Sequence, residues 1–257
     1  METTFATTDH ASILTVRDRD RNAVAAVTAS LSASTSPLAS QATGVVTALK
    51  AFGENVAFSA AKYQPAARND ANRKAAADIM AKPFQAFTAA GIAEGRAAAA
   101  ANATALGVDP GNAPLRAQTR DRFDAMDTAG QAAFAQRASV EELAALMEGG
   151  RSYFASTPDA VWQIIEDQYS IKRHIARTGL QADYQIQPSA SDPVGFGANE
   201  KAAMEAAQKS LAALRARSNT VDAVRSTAQS IIDVVAVATD LSRDEAWKLL
   251  TTGKTAA

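Results

Sequence analysis

Six apolar residues, Leu38, Ala42, Val45, Leu49, Phe52 and Val56, recur at alternating steps of four and three, and Tyr63 continues the register. On an α-helix that spacing lines up one narrow seam, the pattern of a coiled coil or a helical hairpin. The seam predicts a helix that opens at Ser36-Pro37, with Ser36 as N-cap and Pro37 at the first helical position, where its missing N–H costs nothing. It ends at Pro65, because the residue before a proline is pushed out of the α region. Two readings of the seam stand side by side: packing against another helix of the same chain, or against a second subunit. Leu38, Val45, Leu49, Phe52, Val56 and Tyr63 are therefore candidate interface residues.

Upstream, the Thr-rich residues 1–9 read as an extended arm. Residues 11–34 read as a helix with Ile13, Val24, Val27 and Leu31 on one side and the alternating charges of residues 17–21 in solvent. Downstream, residues 70–81 read as a short helix. Pro83 starts or kinks the next, which runs through the alanines at 97–101 to Leu106 with Gly107 as C-cap. Residues 108–114 are dense in turn formers and mark a boundary.

Beyond that boundary the helix ends are legible. Asp127 or Thr128 opens a helix to Arg137. Ser139 and Glu142 form a capping box ahead of Leu143, Leu146 and Met147, and Gly149-Gly150 closes that helix. Thr157-Pro158-Asp159 opens a longer one, closed by Gly179, with Val161, Ile164, Ile165, Gln168, Ile171 and Ile175 facing one way. Residues 180–199 form an irregular loop with Pro188, Pro193, Gly195 and Gly197, the kind of segment that binds or lies on a neighbour. Tyr184 and Phe196 in this loop join the candidate interface residues. Asn199 caps a helix to Ser218, Thr220 begins another, and Ser242 with Glu245 forms a second capping box ahead of Trp247, Leu249 and Leu250, ended by Gly253. The fold class is thus all-α: an N-terminal arm and long Ala-rich helices in a hairpin or bundle over residues 1–107, then a compact multi-helix region over 115–257. The aromatic window at 120–180, with Phe123, Phe134, Tyr153, Phe154, Trp162 and Tyr169, is where a core nucleates.

Composition sharpens this picture. Of the 257 residues 47% are apolar, but roughly half of those are alanine. Alanine is the best helix former and the poorest source of buried area, at about 25 cal/mol for each Å² removed from water. Such helices form readily and favour neighbours that add contact. A net charge of -1 provides no long-range attraction for polyanions. A nucleic-acid contact remains an option only if Arg17, Arg19, Arg21, Arg68, Arg73 and Lys74 converge on one face. With no cysteine there are no disulfides or thiolate sites, and the polar start is no secretory signal. No run is long and apolar enough to span a membrane.

No catalytic constellation emerges, and neither a cofactor nor a metal is implied. The two histidines, His10 and His174, lack the Glu three residues earlier that a di-iron bundle needs, since Thr7 and Ile171 stand there. His174 sits among Lys172, Arg173 and Arg177, a basic helix end. The residues Gly253-Lys254-Thr255 lack the leading glycine of a P-loop, position 248 being Lys248, and Gly195-Phe196-Gly197 lacks a third glycine. Asn102-Ala103-Thr104 matches a glycosylation acceptor only inside a helix. The carboxylate pairs Glu141-Glu142 and Glu166-Asp167 fit helix N-terminal charge and solvated faces.

The segment Arg122-Phe123-Asp124-Ala125-Met126-Asp127, followed by Gly130-Gln131-Ala132-Ala133-Phe134, resembles a Phe-Asp-x-hydrophobic…Phe helix-turn-helix pattern of small proteins from tailed-phage structural modules. The Gly-Gly that follows the second Phe in that pattern is absent, unless Gly149-Gly150 takes its place. The resemblance implies a component of a phage or gene-transfer particle and carries over no catalytic residue. The leading expectation is a non-enzymatic virion subunit (head, connector or internal protein), made in the bacterial cytoplasm, that binds copies of itself and other virion proteins through helix faces and arms. The alternative is a phasin-like helical protein that coats a polymer or lipid surface through amphipathic helices.

Overall fold

The computed structural model of the protein describes residues 1–33, 37–178 and 184–254, so Ser36, Gly179 and Thr255 lie outside the described residues. The chain is mostly helical, 73% against 10% strand, and divides into two compact units. The first comprises Met1–Ala97 and the chain from Arg217 onward; the second is Ala98–Ala216. This division differs from the predicted break at 108–114. Both boundaries fall inside helices, and the C-terminal stretch joins the N-terminal one because Val224, Ile231, Val235 and Leu249 share a core with Leu14, Leu49 and Phe52.

The first unit opens with an antiparallel three-stranded meander: β1 (Glu2–Thr7), β2 (Ala11–Asp18) and β3 (Arg21–Thr28). This corrects two expectations, the arm at 1–9 and the helix at 11–34. Leu14 and Val16 alternate with less buried neighbours on β2, and Ala23, Ala25 and Val27 do the same on β3. The period is therefore two, which puts one face of the sheet in the core. Asp18 pairs with Arg21 across a two-residue connection in which Arg19 takes a φ of 52°. Val24, assigned to a helical seam from sequence, points outward at the sheet surface, and the charges at 17–21 form a hairpin end. The Thr-rich start becomes a strand because β-branched residues suit a pleated surface once a partner is present.

After a short turn of helix, α1 (Ala29–Ser32), comes α2 (Pro37–Lys62), which carries the four-three seam. Leu38, Ala42, Val45, Leu49, Phe52 and Val56 are all buried in the core of this unit, while Tyr63 is exposed at the helix end. The next helix is continuous rather than broken at Pro83. It consists of α3 (Pro65–Ala75), a π-turn over Ala76–Met80, and α4 (Ala81–Leu106), with Pro65 in its first turn. Pro83 has no N–H for the carbonyl of Ile79, and the π-turn around that residue absorbs the mismatch without a kinked break.

The second unit contains the short helices α5 (Ala113–Asp124), α6 (Thr128–Arg137), α7 (Val140–Tyr153) and α8 (Asp159–Thr178). Asp127 and Ser139 open helices as expected, Asp127 accepting from the Gly130 N–H and Ser139 closing a full capping box with Glu142, while Asn112, inside the predicted break, caps α5 by accepting from the Leu115 N–H. Gly150, at φ 73°, breaks the helical path of α7, a conformation that glycine adopts without strain. The aromatic window forms the core here. Phe123 meets Phe134 and Phe154 edge to face at 5.7 and 5.3 Å, and Trp162 lies 6.0 Å from Phe154. Phe52, Phe84 and Phe87 anchor a separate core in the first unit, so the window at 120–180 builds one of two cores.

The 40-residue helix α9 (Glu200–Thr239) runs without interruption through Ser218-Asn219-Thr220, where two helices were predicted, and α10 (Arg243–Thr252) follows. The C-terminal end of α9 is held by side chains from distant sequence: Arg21 donates to the carbonyls of Ala236 and Leu241 at 3.2 Å, Asn72 to Ala238 at 2.7 Å, and Arg73 to Thr239 at 3.2 Å. Cationic donors at a helix C-terminus satisfy free carbonyls and oppose the negative dipole end. The second capping box, Ser242 with Glu245, starts α10, and Gly253 ends it at φ 65°.

Candidate interaction surface

In the first unit α4 and α9 approach closely and run antiparallel, with Gly91 opposite Val224 and Gly95 opposite Val221. A Cβ on Gly91 would stand 2.5 Å from Cγ1 of Val224, and one on Gly95 3.7 Å from Cγ1 of Val221. Two glycines one turn apart on α4 thus let the valine side chains of α9 pack onto the α4 backbone and leave no α4 side chain to fill the space beside the contact. The result is an apolar groove of about 350 Å³ floored by Gly91, Gly95, Val221 and Ala228 and flanked by Ile92 and Trp247. Ile92 is 57% exposed and Trp247 45%. Trp247 is oriented by edge-to-face packing on buried Phe84, with centroids 5.8 Å apart. Among the described residues that line the groove Arg225 alone is charged, and its guanidinium pairs with Asp222 one helical turn away at 2.8 Å.

The second unit exposes a different feature. The described part of the loop, from Tyr184 to Asn199, is pinned at its base, where the Asn199 N–H donates to Tyr184 O at 2.6 Å and the Ile186 N–H to Gly197 O at 2.8 Å. Gln185 and Ala198 form an isolated antiparallel bridge, so the alternation of Tyr184 and Ile186 yields one bridge and no strand. A turn at 189–192 is closed by reciprocal bonds between the backbones of Ser189 and Asp192 at 2.9 and 3.1 Å. Between turn and base stand Val194 and Phe196, 78% and 86% exposed. Tyr184 is half-buried at the base.

A concavity of about 420 Å³ in the second unit is lined by Ser170, Arg173, His174 and Arg177. Its chemistry is largely committed. Arg173 donates to Thr104 O at 2.6 Å and Ala105 O at 3.2 Å and pairs with Asp109 at 3.3 Å, capping the end of α4. Beside it Tyr169 donates to Gly107 O at 2.9 Å, and burial pushes its phenol above the usual range, opposed by Arg173. No group of three His, Asp or Glu side chains able to hold a metal occurs among the described residues.

The carboxylate pairs are engaged in structure: Glu142 in its capping box, Glu141 with Arg116 at 3.2 Å, Glu166 accepting from the Trp162 indole at 2.8 Å, and Asp167 with Arg215. The basic cluster considered for nucleic acid is interleaved with acids. Arg68 pairs with Asp18, Arg21 with Asp240, Arg73 with Asp70 and Lys74 with Asp78, while Arg17 and Arg19 sit exposed near the hairpin end.

Of the predicted interface residues, Leu38, Val45, Leu49, Phe52 and Val56 have their apolar surface taken up inside the first unit, whereas Tyr63 and Phe196 are exposed. The groove residues Gly91, Ile92, Gly95 and Trp247 escaped the sequence reading. The signal that marks them is the Gly91-x-x-x-Gly95 spacing in an Ala-rich helix, the small-residue pattern of close helix contacts. Compared with protein-family models, curated proteins and solved structures, the chain matches none. No helix among the described residues is long and apolar enough to cross a membrane.

Proposed function

We propose that this protein is a non-enzymatic structural subunit of a larger assembly, binding copies of itself and other particle proteins through discrete apolar patches. The tailed-phage virion is the particle to which the resemblance at 122–134 points. The observation that carries the reading is the pairing of an uncovered apolar groove, flanked by Ile92 and Trp247, with an uncovered apolar loop bearing Val194 and Phe196. Apolar patches of this kind mark interaction sites. Large exposed apolar residues elsewhere among the described residues are scattered, with at most one on any helix, such as Phe58, Leu115, Tyr153 and Met204. A coat for a lipid or polymer surface calls instead for a stripe along a helix, so this scatter favours discrete contacts.

Light scattering on the purified protein from micromolar to near-millimolar concentration, with circular dichroism on the same samples, tests the proposal. The expected result is a mass that rises to multiples of 26.8 kDa at constant helix content. A monomer at every concentration overturns self-assembly, and helix content that rises only on adding vesicles overturns the subunit reading.

A further inference from the structure

We infer that the loop of one copy docks into the α4–α9 groove of the next, with Phe196 as the inserted side chain and a head-to-tail contact as the result. The inference deepens the self-assembly reading and rests on it. Phe196 and Val194 are the two most exposed large apolar residues of the described chain. The loop is held ready by the 185–198 bridge and the 189–192 turn, so little ordering cost remains on docking. The groove is apolar, large enough for an aromatic ring beside a valine, and walled by an indole that offers an edge or face to an incoming ring.

Charge selects the same pairing. Asp192 is the only charged residue between Tyr184 and Asn199, and Arg225 the only charged one among the described residues lining the groove. Arg225 is exposed and already bound to a carboxylate by a one-turn surface pair, a weak contact that an incoming carboxylate can replace. Loop and groove are different surfaces, so the contact is heterologous and propagates from copy to copy until it closes a ring or extends a filament.

That asymmetry provides a decisive experiment. Phe196→Asp removes the knob and Ile92→Asp spoils the groove. Both positions are exposed, so each variant keeps its fold, checked by circular dichroism. Each alone should weaken self-association by at least about 30-fold, the loss expected for an inserted anchor, and remain monomeric where the parent protein assembles. Mixed in equal amounts, the two should form a dimer and nothing larger, because one intact knob and one intact groove remain. Asp192→Arg or Arg225→Asp should each weaken assembly about 5-fold, and the double exchange within one chain should restore it.

Four outcomes overturn the inference. If the parent assembles but Phe196→Asp leaves its mass unchanged, the docking falls and the self-assembly reading stands. If the variants are monomeric but their mixture gives no dimer, the contact is not heterologous. If the parent never assembles, both fall together. If Phe196 is needed for co-sedimentation with phosphatidylcholine–phosphatidylglycerol vesicles while mass is unchanged, the loop is a lipid contact.

Discussion

The first unit surrounds its three buried rings, Phe52, Phe84 and Phe87, with many aliphatic side chains that meet across long separations in sequence, with Leu14 and Val16 from a strand, Leu49 and Val56 from α2, and Ile231 and Val235 from α9 in one core. The second is built from aromatic rings on short helices, with Phe123, Phe154, Trp162 and Tyr169 all inside one window of sequence. The difference shows two ways for an Ala-rich chain to find buried area. Rings supply much area per residue, and a few suffice to anchor four short helices whose ends are capped locally. Aliphatic side chains and alanine supply less, so the first unit gathers helices and a sheet around its core and lets a side chain of α9 pack onto the backbone of α4, where Gly91 meets Val224.

Separating the two cores energetically is the largest test. The protein has two tryptophans, Trp247 in the first unit and Trp162 in the second, so single-tryptophan variants report on each. Phe52→Ala should cost about 3–5 kcal/mol and shift the urea transition seen by Trp247 in a Trp162→Phe background. Phe154→Ala should cost about the same and shift the transition seen by Trp162 in a Trp247→Phe background. If either substitution moves both reporters equally, the two cores unfold as a single block and the contrast between them disappears.

A smaller effect probes the close helix contact peculiar to the first unit. Gly91→Ala puts a methyl against Val224 and should cost about 1–3 kcal/mol. Combined with Val224→Ala it should cost less than the sum of the two single changes, a coupling read from Trp247 unfolding midpoints. Strict additivity would place the two helices farther apart in solution.

The smallest effect concerns the local punctuation of the second unit. Ser139→Ala should cost about 1 kcal/mol and be visible at Trp162. The Ser139 backbone N–H donates to the Glu142 carboxylate at 2.9 Å and its hydroxyl at 3.0 Å, with Arg122 nearby at 2.7 Å. The backbone bond foremost, then the hydroxyl and Arg122, hold this carboxyl below its ordinary value against a raising effect of burial. The contribution is therefore fully present above the unfolded-state pKa of about 4.3 and is lost as the pH falls through the lower folded-state value. Glu142→Gln should flatten that part of the midpoint-versus-pH curve between pH 6 and pH 3, and an unchanged slope would assign the acid sensitivity elsewhere.

Helix punctuation was readable because a cap is an interaction between residues three apart. Asp127, Ser139 and Ser242 make their predicted bonds to the third residue onward, and Gly253 takes its left-handed turn. The loop base at Tyr184 and the exposed Phe196 lay in a segment marked by its prolines and glycines, whereas the groove had only a four-residue glycine spacing to announce it.

Legible in the sequence alone are the starts at Asp127, Ser139 and Asp159 in the second unit, the aromatic cluster that forms a core there, and the seam from Leu38 to Val56 on one face of a helix. Tertiary structure alone decided that residues 11–28 pair as strands, that α9 continues through Ser218-Asn219-Thr220, and that the α2 seam is consumed inside its own unit. The physical reason is the same in each case. Alanine and valine at 23–27 are compatible with helix or sheet, and small differences in propensity at 218–220 amount to tenths of a kcal/mol. Such near-ties are resolved by burial against partners far away in sequence, whose positions no local pattern encodes.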